Sequence, residues 1–165
     1  MGLEIERKFL VSQDDFNSLI CDTKIYIRQS YIFKTDDKSV RVRSSYTKDG
    51  NGVGHITIKS GKGLTKYEWE TPMSVNDTDE LICKMGNGVI EKERYIIYTD
   101  KGYKWEIDYF TGLNEGLIVA EVELKTEDQH IDIPEWCGKE VTYENKYINA
   151  ILIDRPYNKW TENEK

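Results

Sequence analysis

The stretch Leu3-Glu4-Ile5-Glu6-Arg7-Lys8-Phe9-Leu10, LEIERKFL, places charges on every second position: Glu4, Glu6 and Lys8, with Leu3, Ile5 and Phe9 between them. Side chains of a β-strand point alternately to opposite faces, so an extended chain puts two carboxylates and an ammonium on one side. The device recurs along the chain. VRVR supplies Arg41 and Arg43 against Val40 and Val42, and ITIK supplies Lys59 against Ile56 and Ile58. KYEWE supplies Lys66, Glu68 and Glu70 against Tyr67 and Trp69. EKERYI offers Lys92 and Arg94, although Glu91 and Glu93 leave the orientation of that segment open. WEIDY supplies Glu106 and Asp108, and AEVEL supplies Glu121 and Glu123.

Period-2 segments cover 3–11, 25–34, 38–46, 54–60, 65–72, 88–98, 103–110 and 117–126. Turn material separates them, such as Asp49-Gly50-Asn51-Gly52, Gly61-Lys62-Gly63 and Asp100-Lys101-Gly102. Eight short strands at this spacing predict an α+β, mainly β fold: an eight-stranded antiparallel barrel, closed or nearly closed. Short helices are predicted near 13–20, capped by Ser12 with a Val11–Phe16 staple, and over 77–85, stopped by Gly86 as a C′ glycine. Pro134 to Gly138 reads as a brief helix, and 143–153 carries Tyr147, Ile148, Ile151 and Leu152 at helical spacing. One domain over 1–165 is expected, with its core in about 2–153 and a polar tail from Tyr157 that frays.

The 30 acidic and 23 basic side chains give a net charge of -7, against the basic excess of a duplex nucleic-acid binder. Cys21, Cys83 and Cys137 are too few and too scattered for a disulfide framework. No apolar run approaches the ~20 residues of a membrane span, and the N-terminus has no signal-peptide pattern. These features point to a cytoplasmic protein.

An amphipathic strand usually wets its polar face. Here the paired charges have the same sign, Arg with Arg and Glu with Glu. At roughly 7 Å apart such a pair repels by ~0.6 kcal/mol in bulk water, and by several-fold more at low dielectric. Carboxylate pairs suit a hard divalent cation, while Arg and Lys pairs suit the oxygens of a polyanion. The expectation is a barrel with a charged lumen and an apolar outer face covered by helices, with Trp69 and Trp105 buried beneath them.

These blocks, together with RQSYI, TIKSGKG and IPEWCGKEVTYENKYINAIL, resemble the CYTH domain family within the triphosphate tunnel metalloenzymes. LEIERKFL is similar to its ExExK signature, and the likeness covers residues 2 to about 153. The resemblance implies a triphosphate held by Lys8, Arg41, Arg43, Lys59, Lys66, Lys92 and Arg94. It implies Mg²⁺ or Mn²⁺ on Glu4, Glu6, Glu121 and Glu123, with Asp108 and Glu70 next. Lys66 stands where the family often has Arg, trading a bidentate fork for a point charge. A lysine–tyrosine pair, Lys8 with Tyr31, is implied in catalysis, with crowding cations expected to lower the pKa of Lys8 and make its neutral amine more available as base.

The activity expected is metal-dependent hydrolysis of a triphosphate, inorganic tripolyphosphate first. Alternatives are thiamine triphosphate hydrolysis, ATP cyclisation to cyclic AMP, or a non-catalytic polyphosphate- or nucleotide-binding module. The lining carboxylates favour the enzyme, because an anion binder gains nothing from them. The partner expected is a small-molecule polyphosphate, with a homodimer suggested by similar proteins. Gly61-Lys62-Gly63 lacks Walker spacing and reads as a hairpin turn. His55 and His130 are isolated, and Arg7 sits on the apolar face, positioned to reach solvent or pair with an acid outside the barrel.

Overall fold

The computed structural model describes residues 2–21, 23–61 and 64–165. Its strands are β1 (Gly2–Leu10), β2 (Thr23–Lys34), β3 (Lys38–Thr47), β4 (Gly52–Ser60), β5 (Thr65–Met73), β6 (Ile90–Tyr98), β7 (Lys104–Phe110) and β8 (Ile118–Glu123). All neighbours are antiparallel, and the order β1-β5-β4-β3-β2-β6-β7-β8 closes into a barrel. Closure removes the free edges that an open sheet would have to protect. Of the turn read at 61–63, Lys62 and Gly63 lie outside the described residues.

The apolar side of β1, β7 and β8 forms one core outside the barrel. Ile5, Phe9, Trp105, Ile107, Ala120 and Val122 are buried there. Helix α1 (Gln13–Ser18) covers part of it: Ser12 accepts a hydrogen bond from the Asp15 backbone N–H, and Phe16 packs on Tyr95 and Tyr109. The segment carrying Ile131 and Trp136 covers more, with Trp136 edge-on to Trp105 at 5.3 Å. Arg7 lies on this side and pairs bidentately with Glu140 at 2.9 and 2.6 Å, an acid outside the barrel.

Helix α2 (Val75–Met85) lies against β2, β3 and β4. It sits so close that a Cβ at Gly54 would fall 1.9 Å from the Thr78 hydroxyl oxygen. Asp79 anchors the helix by accepting hydrogen bonds from Ser44 and Tyr46. Gly86 follows α2 with φ -75°, so it is not the left-handed stop expected; a Cβ there would collide with Ser30 and the Ile82 carbonyl, and close approach explains the glycine.

A second core closes one end of the lumen. Leu10, Ile90, Phe110 and Val119 continue the inward faces of β1, β6, β7 and β8 but are apolar, and they meet Val141, Tyr147, Leu152 and Trp160. The chain forms this plug differently from the sequence expectation. Residues 143–153 split at an extended Ile148 into a 3-10 turn (Asn145–Tyr147) and helix α3 (Asn149–Asp154). Pro134 to Gly138 is a turn, with the Cys137 N–H donating to the Pro134 carbonyl at 3.0 Å, and not a helix. The terminal segment packs instead of fraying: Trp160 is buried against Tyr147 and Tyr157. Trp105 is buried as expected, but Trp69 is 43% exposed, because no described element covers the outer side of β5.

Trp160→Ala should therefore lower stability by about 3 kcal/mol or more, the range for emptying a buried aromatic site. Urea unfolding followed by fluorescence of the remaining tryptophans measures it.

Candidate active site

A cavity of about 1470 Å³ runs inside the barrel. Its lining extends from the Thr35–Lys38 turn and α3 to Lys101, Tyr103, Lys104 and Lys125. Glu4, Glu6 and Lys8 of β1, Tyr31 of β2, Arg41 and Arg43 of β3, and Lys59 of β4 line it. Lys66, Glu68 and Glu70 of β5, Arg94 of β6, Glu106 of β7, and Glu121 and Glu123 of β8 complete the wall. Every charged stripe read from the alternation turns inward, including the ambiguous one. Glu93 of β6 faces outward, pairing with Lys24 at 2.7 Å, so Lys92 and Arg94 face in.

Within this wall each cation rests on carboxylates. Lys8 binds Glu121 and lies 3.1 Å from Glu6. Lys66 donates to Glu6 at 2.9 Å, and Lys59 lies 2.6 Å from Glu4 and 2.5 Å from Glu68. Glu70 takes Arg41 at 3.4 Å, Arg43 at 3.2 Å and the Thr57 hydroxyl at 2.6 Å. Arg94 grips Asp108 with two bonds of 2.7 Å and reaches Glu106 and Glu121.

Lys92 and Asp108 differ from the rest. Both side chains are 1% exposed and bound to each other, next to the apolar plug, where Lys92 also lies 5.3 Å from the Phe110 ring centroid. They share the inward face of their strands with Arg94 and Glu106 but do not border the cavity.

Burial opposes each charge, and the neighbours decide the outcome. For Lys8 burial works downward, but Glu121 and Glu6 outweigh it and hold the ammonium above its ordinary range. That reverses the expected lowering by crowding cations. Lys92 goes the other way: burial and the Arg94 guanidinium pull it down to about 8 despite Asp108. Burial would raise Asp108 and Glu6, yet Arg94 with Lys92 and Lys8 with Lys66 bring each below the carboxylate norm. Glu4 is raised, by burial first and by Glu6 second. Burial raises the Tyr31 phenol against the pull of Arg41, Lys59 and Lys8, so it is neutral near pH 7.

The donor set fits a hard divalent cation. Glu6 lies directly opposite Glu123 across the β1–β8 ladder, where Cβ atoms stand about 4.5–5.5 Å apart. Such like-charged opposition is unfavourable until a cation sits between the pair. Among the described residues no three metal-binding side chains are gathered into one cluster, because lysines and Arg94 hold Glu4, Glu6 and Glu121 individually. Glu123 has no ion pair among the described residues.

An anion would also be accommodated. The Nε atoms of Arg41 and Arg43 and both polar atoms of the Gln29 amide are buried without a hydrogen-bond partner. Gln29, opposite Arg43 on the inward face of β2, is a polar group that the charge pattern did not reveal. Thr57 was hidden for the same reason, lying between Ile56 and Ile58 on a strand whose visible signal is Lys59. His55 stands 3.9 Å from Glu70, so it adjoins the arginine cluster and is not isolated.

A closed antiparallel barrel lined by stacked cations and stacked carboxylates is a tunnel for a polyanion and a hard metal. Residues 2–155 match the CYTH domain model, and the chain belongs to that family. It is 42% identical over 98% of its length to the whole of an inorganic triphosphatase from Acetivibrio thermocellus. A second inorganic triphosphatase, from Nitrosomonas europaea, is 34% identical over 90% of this chain and 95% of its own. The crystal structure of the inorganic triphosphatase NE1496 superposes with a TM-score of 0.63 at 31% identity, covering 93% of this chain and 95% of that one. No described helix is long and apolar enough to cross a membrane.

Depressed carboxylates fix the sign of the acid response. Asp108, Glu6, Glu70 and Glu106 have folded pKa values below their unfolded ones, so the stabilisation they give is present above about pH 4 and is lost as the pH falls further. Glu4, with a raised pKa, works in the opposite sense. Thermal melts should be nearly flat from about pH 7 to 5 and fall steeply below about 4. Asp108→Asn, which strands Lys92 and leaves Arg94 with only Glu106 and Glu121, should cost about 3–5 kcal/mol at neutral pH.

Proposed function

We propose that this chain hydrolyses inorganic tripolyphosphate to pyrophosphate and phosphate, with Mg²⁺ or Mn²⁺ as cofactor. The observation that carries the proposal is the convergence of Lys8, Arg41, Arg43, Lys59, Lys66 and Arg94 on one cavity that the carboxylates Glu4, Glu6, Glu121 and Glu123 also line. The relatives described as inorganic triphosphatases support it, since they match nearly the whole chain.

The arginine forks of Arg41 and Arg43 accept non-bridging oxygens bidentately, while Lys59 and Lys66 act as point charges at the cavity wall. Glu4, Glu6, Glu121 and Glu123 would hold the metal, with Glu70 as a further oxygen donor; Asp108, buried with Lys92 off the cavity, would reach it only if that pair opened. Bound there, a divalent cation supplies charge neutralisation and an activated water. Phosphoryl transfer rests on positioning and electrostatics, so these contacts supply most of what the reaction requires.

Lys92 stiffens the cavity from beneath through Asp108 and Arg94, and reaches a phosphate only if that knot opens. Lys8 enters the reaction as an ammonium, held so by Glu121 and Glu6. In that form it stabilises charge on the transferring group and on the departing pyrophosphate oxygen. Tyr31, buried and neutral on the same cavity wall, would serve as a hydrogen-bond donor to the bound phosphate.

Phosphate release should be measured from tripolyphosphate, ATP and thiamine triphosphate, each with Mg²⁺, Mn²⁺ or neither. Tripolyphosphate should be the best substrate, and turnover should require metal. Arg41→Ala and Glu123→Gln should each lower kcat/KM by about 10²-fold or more. Tight binding of tripolyphosphate with no turnover of any of the three compounds would make the tunnel a binding module, and near-normal activity of Glu123→Gln would remove that residue from the metal site.

A further inference from the structure

Strand β2 carries a buried amide that the described residues leave unsatisfied. Gln29 is 1% exposed, and neither its Nε2 nor its Oε1 has a hydrogen-bond partner among them. Its inward neighbours along the strand are Ile27, opposite Lys92 of β6, and Tyr31, opposite Arg41 of β3. Across the ladders Gln29 itself stands between Arg43 of β3 and Ile90 of β6. Arg43 borders the cavity and Ile90 belongs to the apolar plug, so the amide sits where the charged wall meets the closed end. A buried polar group without a partner costs stability, and a methionine or leucine would fill the same place without that cost.

The unpartnered atoms define what the place can hold. Its surroundings offer donors: the Nε–H groups of Arg41 and Arg43 are buried and unpartnered, and the Tyr31 phenol lies on the same wall. Together with the Gln29 N–H groups these suit ionised phosphate oxygens, which only accept. The Gln29 carbonyl oxygen does not suit them. It is a free acceptor beside an arginine pair whose carboxylate is already engaged: both Glu70 oxygens accept from Arg43, and one also takes Arg41 and Thr57. Whatever satisfies Gln29 must bring a hydrogen to Oε1 and an acceptor to Nε2. A water lying against a gripped phosphate supplies both. Gln29 lies off the cavity surface, but directly opposite Arg43, where Cβ atoms stand about 4.5–5.5 Å apart. That is within reach of a water on a phosphate that Arg43 holds.

We propose that Gln29 holds the attacking water against the terminal phosphorus of a polyphosphate bound by Arg41 and Arg43. This role rests on the hydrolytic reading above and gives its nucleophile an orienting group. A carboxamide does not take up a proton near neutral pH, so it acts by geometry: Oε1 accepts one water hydrogen and leaves a water lone pair directed at phosphorus. Glutamine serves this purpose in other enzymes of phosphoryl transfer. The water oxygen bonds to the terminal phosphorus as the bond from that phosphorus to the bridging oxygen breaks. The bridging oxygen keeps the electron pair and leaves in pyrophosphate. One water hydrogen stays on the new phosphate and the other passes to a pyrophosphate oxygen, giving hydrogen phosphate and hydrogen pyrophosphate.

Steady-state kinetics of the full chain with tripolyphosphate and Mg²⁺ test this. Gln29→Met, which keeps the length and removes both polar atoms, should lower kcat about 10²-fold while KM changes by less than about threefold. The same variant should melt no lower than the wild type without ligands, because it removes a buried polar group that has no partner. Gln29→Asn, which draws the amide back by one methylene, should lower kcat by at least about tenfold, and it decides the matter should the methionine variant fail to fold. Near-normal kcat in either folded variant overturns the proposal. So does a loss carried by KM with kcat intact, which would make Gln29 a phosphate contact. A wild type that binds tripolyphosphate without turning it over overturns the hydrolytic reading as well, whereas an active wild type with an equally active Gln29→Met overturns this role alone.

Discussion

A closed barrel gives its inward side chains no route to bulk water except through its two ends, so each inward charge needs a partner within the ring. That constraint organises this molecule. Same-sign pairs lie along six of the eight strands; the acidic β5, β1, β8 and β7 are neighbours in the ring, and cations reach them from β6 on one side and from β3 and β4 on the other. Arg41 and Arg43 of β3 reach Glu70 of β5 across the Thr57 hydroxyl, and Arg94 of β6 takes Asp108 and Glu106 of β7. Desolvating so many ions costs several kcal/mol each unless they are paired, and the network supplies that pairing for the buried charges, while the exposed Glu123 has no ion pair among the described residues. It is less a source of stability than a condition for having a charged interior at all.

The apolar material is arranged around that condition. In an ordinary β-barrel the lumen can hold the core; here it cannot, so the core divides. One part lies outside β1, β7 and β8 beneath α1 and the Ile131–Trp136 segment, and the other stops one end of the lumen. On each of β1, β6, β7 and β8 the inward face changes from charged to apolar: Lys8 to Leu10, Lys92 to Ile90, Asp108 to Phe110, Glu121 to Val119. This switch makes the Lys92–Asp108 pair the driest ion pair among the described residues and ties it to packing rather than to the cavity.

The strands and the inward stripes were legible because period-2 alternation is a local signal and recurs on almost every strand. What escaped was long-range or neutral. Ile148 breaks the helical spacing of 143–153 because Tyr147 and Leu152 must both enter the plug, which requires a turn between them. Trp160 carries its neighbours into the same plug, although the tail around it is polar. Trp69 has the same alternation as Trp105, and only the placement of the covering segments separates a buried ring from an exposed one. Gln29 and Thr57 carry no charge and so left no mark on a pattern read from charge. The state of Lys8 was misjudged because its nearest neighbours, Glu121 and Glu6, are carboxylates; one is on its own strand, but the other is 113 residues away.

The pairing also explains how a lumen can be neutralised without ligands and still bind two of opposite sign. Three of the four carboxylates that would serve a divalent cation are held by a lysine or arginine that would serve a phosphate: Glu4 by Lys59, Glu6 by Lys66, and Glu121 by Lys8 and Arg94. Removing either partner alone leaves a buried, unpaired charge, which is more costly than the intact pair. Engaging both together gives the released carboxylates a cation and the released cations an anion, so neither partner is left uncompensated. A polyanion entering alone must compete with the carboxylates for the cations, and a metal entering alone must compete with the cations for the carboxylates. Occupied together, the two sites relieve each other's competition. Positive coupling between metal and polyphosphate thus follows from the electrostatics of the wall itself, before any direct contact between the two ligands is counted.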